Sequence, residues 1–174
     1  QNNSYELVLG RNNNMSAVTT SWIGNYITAT GTGDLTSGEW TEGTAAAADT
    51  KVFTRTFNGA NTTDAAYSQT ITLTVRLATV AEAAVEDIAA IRAAFPNNGT
   101  LDVTVSTNAT STDARNAVAT AIRRTAAWGS DVSVTCNPAS NTTWNPSMAD
   151  GGSQTFTANV MVTIGDQIHN ATLT

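Results

Sequence analysis

The sequence predicts an α+β fold: a β-rich N-terminal half, a β-α-β-α-β unit with two helices on one face of a sheet, and a C-terminal strand. Three observations predict it. Apolar residues alternate with Thr, Ser, Asp or Arg along several short stretches, which is the period of a half-buried strand. Two other stretches switch to helical spacing behind a Thr-x-x-acid start, the signature of a capped helix. These two capped stretches echo each other at an offset of 31 residues.

The 174 residues are 41% hydrophobic, so one domain spanning 1–174 is expected to fold around a real core. Within it, 1–57 reads as a β-rich region with an N-terminal arm and a long loop at 31–50. The β-α-β-α-β unit covers 68–136, and 137–174 holds a loop and the last strands.

The first strand is Tyr5-Glu6-Leu7-Val8-Leu9, closed by the turn run Gly10-Arg11-Asn12-Asn13-Asn14. Val18 to Thr30, with Trp22, Ile23, Tyr26 and Ile27, has the aromatic and β-branched content of a strand. Gly31 to Thr50 has little periodicity apart from Leu35 and Trp40, and reads as loop. Lys51 to Phe57 resumes a strand, and Asn58-Gly59 is a favoured turn pair.

In the second half, Ile71, Leu73, Val75 and Leu77 alternate, as do Leu101, Val103 and Val105. Thr79-x-x-Glu82 opens the first helix, which carries Val80, Ala84, Ile88, Ile91 and Phe95. Thr110-x-x-Asp113 opens the second, with Ala114, Val118, Ala121, Ile122 and Thr125. Pro96-Asn97-Asn98-Gly99 stops the first and Gly129 the second. Asp131 to Cys136 adds a third strand. Right-handed crossovers would make the three strands parallel. A loop, Asn137 to Gly152, leads to a strand at Thr155–Ile164, then the Gly165-Asp166 turn and an edge strand or arm at Ile168–Leu173.

The composition limits the chemistry. The chain has one histidine, one cysteine and one lysine, and 13% of its residues are charged, against roughly 25% in an average soluble domain. In their place stand 32 Thr, 17 Asn and 12 Ser. The net charge of −6 opposes nucleic-acid binding, which calls for a basic surface. No stretch is long and apolar enough to cross a membrane as a helix.

Nucleophile elbows, phosphate loops and zinc motifs are missing from the sequence. Cys136 closes the alternation Val132, Val134, Cys136 and reads as a core thiol, while His169 reads as a surface or edge-strand side chain. Asp34, Glu39 and Glu42 are the acids that could hold calcium, and Glu39 and Glu42 the pair that could serve a glycoside hydrolase. As ordinary loop acids they need neither role.

Seven Asn-x-Ser/Thr triplets occur, at Asn2, Asn14, Asn61, Asn98, Asn108, Asn141 and Asn170. A chain this rich in Asn, Ser and Thr yields about four by composition alone. The start Gln1-Asn2-Asn3-Ser4 is not a signal peptide and has no initiator Met. It reads as a processed end or as numbering that begins inside a longer product.

The functional expectation is a non-enzymatic structural subunit of a virion: a phage capsid, decoration or tail protein that self-assembles as a homo-oligomer or with other proteins of the same assembly. No cofactor or metal is expected, and the compartment is the virion or the extracellular space. Trp22 and Trp128 fall in predicted elements and read as core, whereas Trp40 and Trp144 fall in loops. The candidate subunit contacts are Tyr5 and Leu7 in the arm, Trp40 and Trp144 in the loops, and Ile168 and Leu173 at the end. A pilus or surface-layer protein stays open as the alternative, as does a carbohydrate-binding or adhesive module using Trp40 and Trp144.

Overall fold

The computed structural model describes residues 3–27, 35–45, 47–59, 67–139, 143–144 and 151–174. The chain is α+β and divides into two compact units, Gln1–Ala78 and Thr79–Thr174.

The first unit is a five-stranded sheet. Its strands are β1 (Ser4–Leu9), β2 (Leu35–Ser37), β3 (Thr41–Glu42), β4 (Thr50–Gly59) and β5 (Tyr67–Leu77). They run in the order β1-β5-β4-β2, with β3 also paired to β4. β1 is parallel to β5, and the other pairs are antiparallel.

The alternation read in the sequence decides the two faces. Register places Tyr5, Leu7 and Leu9 beside Leu73, Val75 and Leu77, with Phe53 opposite Leu73. That face carries the core: Phe53, Leu73 and Val75 are buried together with Met15, Val18, Ile23 and Trp40. The other face is polar. Thr54 meets Thr41 at 2.9 Å, Thr56 meets Thr70 at 3.0 Å, and Arg76 Nε donates to Glu6 at 2.9 Å.

The cover of this core corrects one expectation. Within Val18–Thr30, residues 18–27 are not a strand, and 28–30 lie outside the described residues. A 3-10 turn at Met15–Ala17 leads into α1 (Thr20–Tyr26), whose start is capped where Thr19 Oγ1 accepts the Trp22 N–H at 3.2 Å. Val18, Trp22, Ile23 and Ile27 sit at helical spacing. Against an apolar sheet face that spacing outweighs β propensity, which reflects fit to a surface more than backbone preference.

The second unit sets α2 (Val80–Ala94) and α3 (Ser111–Arg124) on a three-stranded antiparallel sheet. Its strands are β6 (Ser133–Pro138), β7 (Ala158–Ile164) and β8 (Gln167–Leu173). Both helices start where the sequence placed them. Thr79 Oγ1 accepts from Glu82 N and Glu82 Oε2 from Thr79 N, and Thr110 and Asp113 repeat the exchange. Ile88 and Ile91 of α2, Val118 and Ile122 of α3, Val160, Val162 and Ile164 of β7 and Leu173 of β8 form one core. Both helices therefore cover one face of a sheet. The face away from them carries Asn159, Met161, Asn170 and Thr172.

The parallel β-α-β-α-β pairing does not form. β5 pairs within the first unit, and β6 pairs with β7. Residues 101–105 join no strand ladder; Leu101 N–H donates to Thr174 O at 3.0 Å, and Leu101 and Val103 pack against the core. The repeat is thus one of capped helices, not of strands. A strand's partner depends on which other strands have a matching apolar face, and the β7–β8 hairpin supplies one by a local turn, without the loop-closure cost of a crossover.

Candidate functional site

In the first unit, β1 projects Tyr5, Leu7 and Leu9 onto the core face of the sheet. The 3-10 turn and α1 cover only part of that face. An apolar groove of about 750 Å³ remains, walled by Tyr5 and Leu7 of β1, Ile71 of β5, Phe57 of β4, and Trp22 and Trp40. The structure thus brings three of the sequence-derived contact residues together: Tyr5, Leu7 and Trp40. Tyr5 is 56% exposed, whereas Trp40 is only 7% exposed.

Arg55 borders the groove. Its guanidinium carbon lies 5.9 Å from the Trp40 ring centre and 5.3 Å from that of Phe57. Nε donates to Gly38 O at 2.9 Å, and a terminal nitrogen donates to Ser37 Oγ at 2.7 Å. Among the described residues the Trp40 indole N–H is buried with no hydrogen-bond partner.

Trp144 and Leu173 lie in the second unit. Both line a cavity of about 380 Å³ with Leu101, Val103 and Phe156. The Trp144 indole N–H donates to Ala109 O at 2.9 Å, and its ring stands edge-on to Phe156 with centres 5.5 Å apart. Leu173 is 3% exposed and belongs to the core. Ile168 is 52% exposed, on the sheet face that also carries Met161 at 44%. Two apolar side chains therefore stand out of an Asn/Thr surface. A shallow depression on that face is lined by Thr135, Asn137, Asn159, Asn170 and Thr172.

Of the remaining candidates, Glu39 is exposed, and Glu42 and His169 have structural partners. Glu42 pairs with Lys51 at 3.0 Å, and Lys51 Nζ also donates to Val18 O at 2.8 Å. Asp34 lies outside the described residues. Among those described, no three His, Cys, Asp or Glu side chains cluster to hold a metal. The His169 Nε2–H donates to Phe95 O at 2.8 Å. Cys136 is half-buried against the second core, and burial pushes its thiol up despite the opposing charge of Arg115.

One residue with a defined role was not singled out in the sequence. Asp87 is fully buried in α2, and its carboxylate accepts the Trp128 N–H at 2.8 Å and the Ser130 N–H at 3.0 Å. Its signal was positional: it falls three residues after Ala84 and four before Ile91, on the buried stripe of the helix.

Comparison with protein-family models, curated proteins and solved structures gives no match.

Proposed function

We propose that this chain is a non-enzymatic structural subunit of a virion, assembling with copies of itself or with other proteins of the same particle through uncharged polar surface. The observation that carries the reading is the Asn/Thr sheet face of the second unit, from which Met161 and Ile168 project 44% and 52% exposed. An apolar anchor inside a polar, low-charge field suits a contact that is partly wet and made many times over. Low charge also limits repulsion between copies packed side by side. Three titratable groups among the described residues have structural partners: Asp87 two backbone N–H groups, Glu42 the Lys51 ammonium and His169 the Phe95 carbonyl.

Negative-stain electron microscopy of the protein from its natural source tests this. Regular shells, tubes or particles are expected, and their symmetry distinguishes capsid from tail or filament. A strict monomer at high concentration in native buffer overturns the reading.

A further inference from the structure

The core face of the first sheet carries two cations on β4, and they differ in what neutralises them. Odd-numbered residues of β4 point to that face, so Lys51 and Arg55 flank the buried Phe53. Lys51 has its counter-ion within the chain, Glu42 at 3.0 Å. Among the described residues, no carboxylate pairs with Arg55. Its hydrogen bonds go to neutral acceptors, Gly38 O at 2.9 Å and Ser37 Oγ at 2.7 Å, and its guanidinium lies over Trp40 and Phe57. Its other terminal nitrogen, Nη1, has no acceptor among the described residues.

Arg55 is half-buried and stands at one end of the apolar groove. Register sets it opposite Ile71, in the row next to that of Tyr5 and Leu73, and the wall continues along β1 through Leu7 to Leu9. From Ile71 to the row of Leu9 is about 20 Å of strand. Among the described residues the walls are aliphatic or aromatic apart from Arg55 and Glu6, and Glu6 is bound to Arg76. The volume of about 750 Å³ falls within the roughly 300–1,000 Å³ of small-molecule sites. A long apolar site with one unneutralised cation at its end matches a ligand that is apolar along its length and anionic at one tip.

We propose that this groove binds a straight-chain carboxylate, with its head on the Arg55 guanidinium and its chain against Leu7, Ile71 and Trp22. Nη1 and the second N–H of the neighbouring terminal nitrogen form a planar fork, which matches the two oxygens of a carboxylate. A partly dry setting strengthens that pair relative to water. The chain supplies the rest of the affinity, because each methylene taken out of water adds about fourfold. Such a site needs no second copy of the chain, and it adds a ligand to the assembly reading above instead of a contact.

The probes are decanoate, octanoate and decanol, titrated by calorimetry into the full chain at neutral pH. Decanoate is expected to bind once per chain. Octanoate should bind about tenfold more weakly for its two lost methylenes, and decanol about tenfold more weakly for its missing charge. Arg55→Gln should bring decanoate down to the level of decanol and leave decanol unchanged, with circular dichroism checking the fold. Should that variant not fold, the comparison of decanoate with decanol on the unmodified protein decides alone. Backbone amide shifts on adding decanoate are expected at Leu7, Trp22 and Ile71, and shifts confined to the second unit overturn the site. Equal binding of decanol and decanoate, or no binding of decanoate at millimolar concentration, also overturns it. Decanoate binding that appears only once assembled protein is dispersed gives the groove to a protein contact and overturns the site while leaving the assembly reading standing.

Discussion

The carboxylate of Asp87 in α2 accepts the backbone N–H of Trp128, 41 residues later, at 2.8 Å. The Ser130 N–H donates to its other oxygen at 3.0 Å, and Gly129 between them adopts φ 81°. A residue in that left-handed conformation lets the N–H groups on either side of its own turn toward one carboxylate. The segment after α3 is thereby tied to the middle of α2 by a charged group with no exposed surface. Removing the acceptor strands two donors in a site closed to water. Asp87→Ala is expected to destabilise the second unit by about 3 kcal/mol, with Asp87→Asn costing less because one acceptor oxygen remains. Urea unfolding followed by circular dichroism measures both; a loss under about 1 kcal/mol for the alanine variant contradicts the tie.

The two helix caps differ in their acid. Asp113 is held below the ordinary carboxylate value by the Thr110 hydroxyl first and the Thr110 N–H second. A depressed folded pKa adds stability that is present above the unfolded value and fades as pH falls through the folded one. Thr110→Ala removes the larger cause. The stability gap between wild type and this variant is expected to narrow as pH falls below about 4. Thermal melts from pH 6 downward check it, and a gap that stays constant would falsify the linkage.

Thr79→Ala removes the hydroxyl that accepts the Glu82 N–H, with an expected loss of about 1 kcal/mol at neutral pH. Thr79→Ser should restore most of it. Chemical denaturation of the three proteins, side by side, decides.

Burial raises the Cys136 thiol above its usual value, so little thiolate exists near neutrality. Alkylation by iodoacetamide is expected to be slow at neutral pH and to accelerate only above the pH at which a free cysteine thiol ionises. Fast labelling at neutral pH, measured by intact mass, is inconsistent with this environment.

Among the described residues, the ion pairs Lys51–Glu42 and Arg76–Glu6 are both partly exposed. Such pairs contribute about 0–1 kcal/mol each and are screened by salt. Raising ionic strength from about 0.05 to 1 M is expected to move the melting temperature by only a few degrees. A large drop would mean that charge holds the fold, against the composition.

Local signals were legible. The reciprocal caps at Thr79/Glu82 and Thr110/Asp113 placed both helix starts, because a cap is settled within four residues. The alternation of Ile71, Leu73, Val75 and Leu77 identified the buried face of β5, because that period is a property of one strand. Which strand lies beside which was not legible: β5 joins β1 and β4, while the 31-residue echo suggested a neighbour further along the chain. Trp22 and Ile23 show the same limit. Their residue types suit a strand, and only the apolar sheet they cover makes them helical. The gathering of Tyr5, Leu7 and Trp40 follows from the β1–β5 pairing, so no reading of single segments could assemble it. Asp87 was readable from its helical phase, once a charged residue on an apolar stripe is taken as a sign of buried donors.

The capping boxes have a consequence for the order of events in the second unit. Each is closed within four residues, so neither helix start depends on β7 and β8, which come later in the chain. The sheet is the part of that core whose formation must wait.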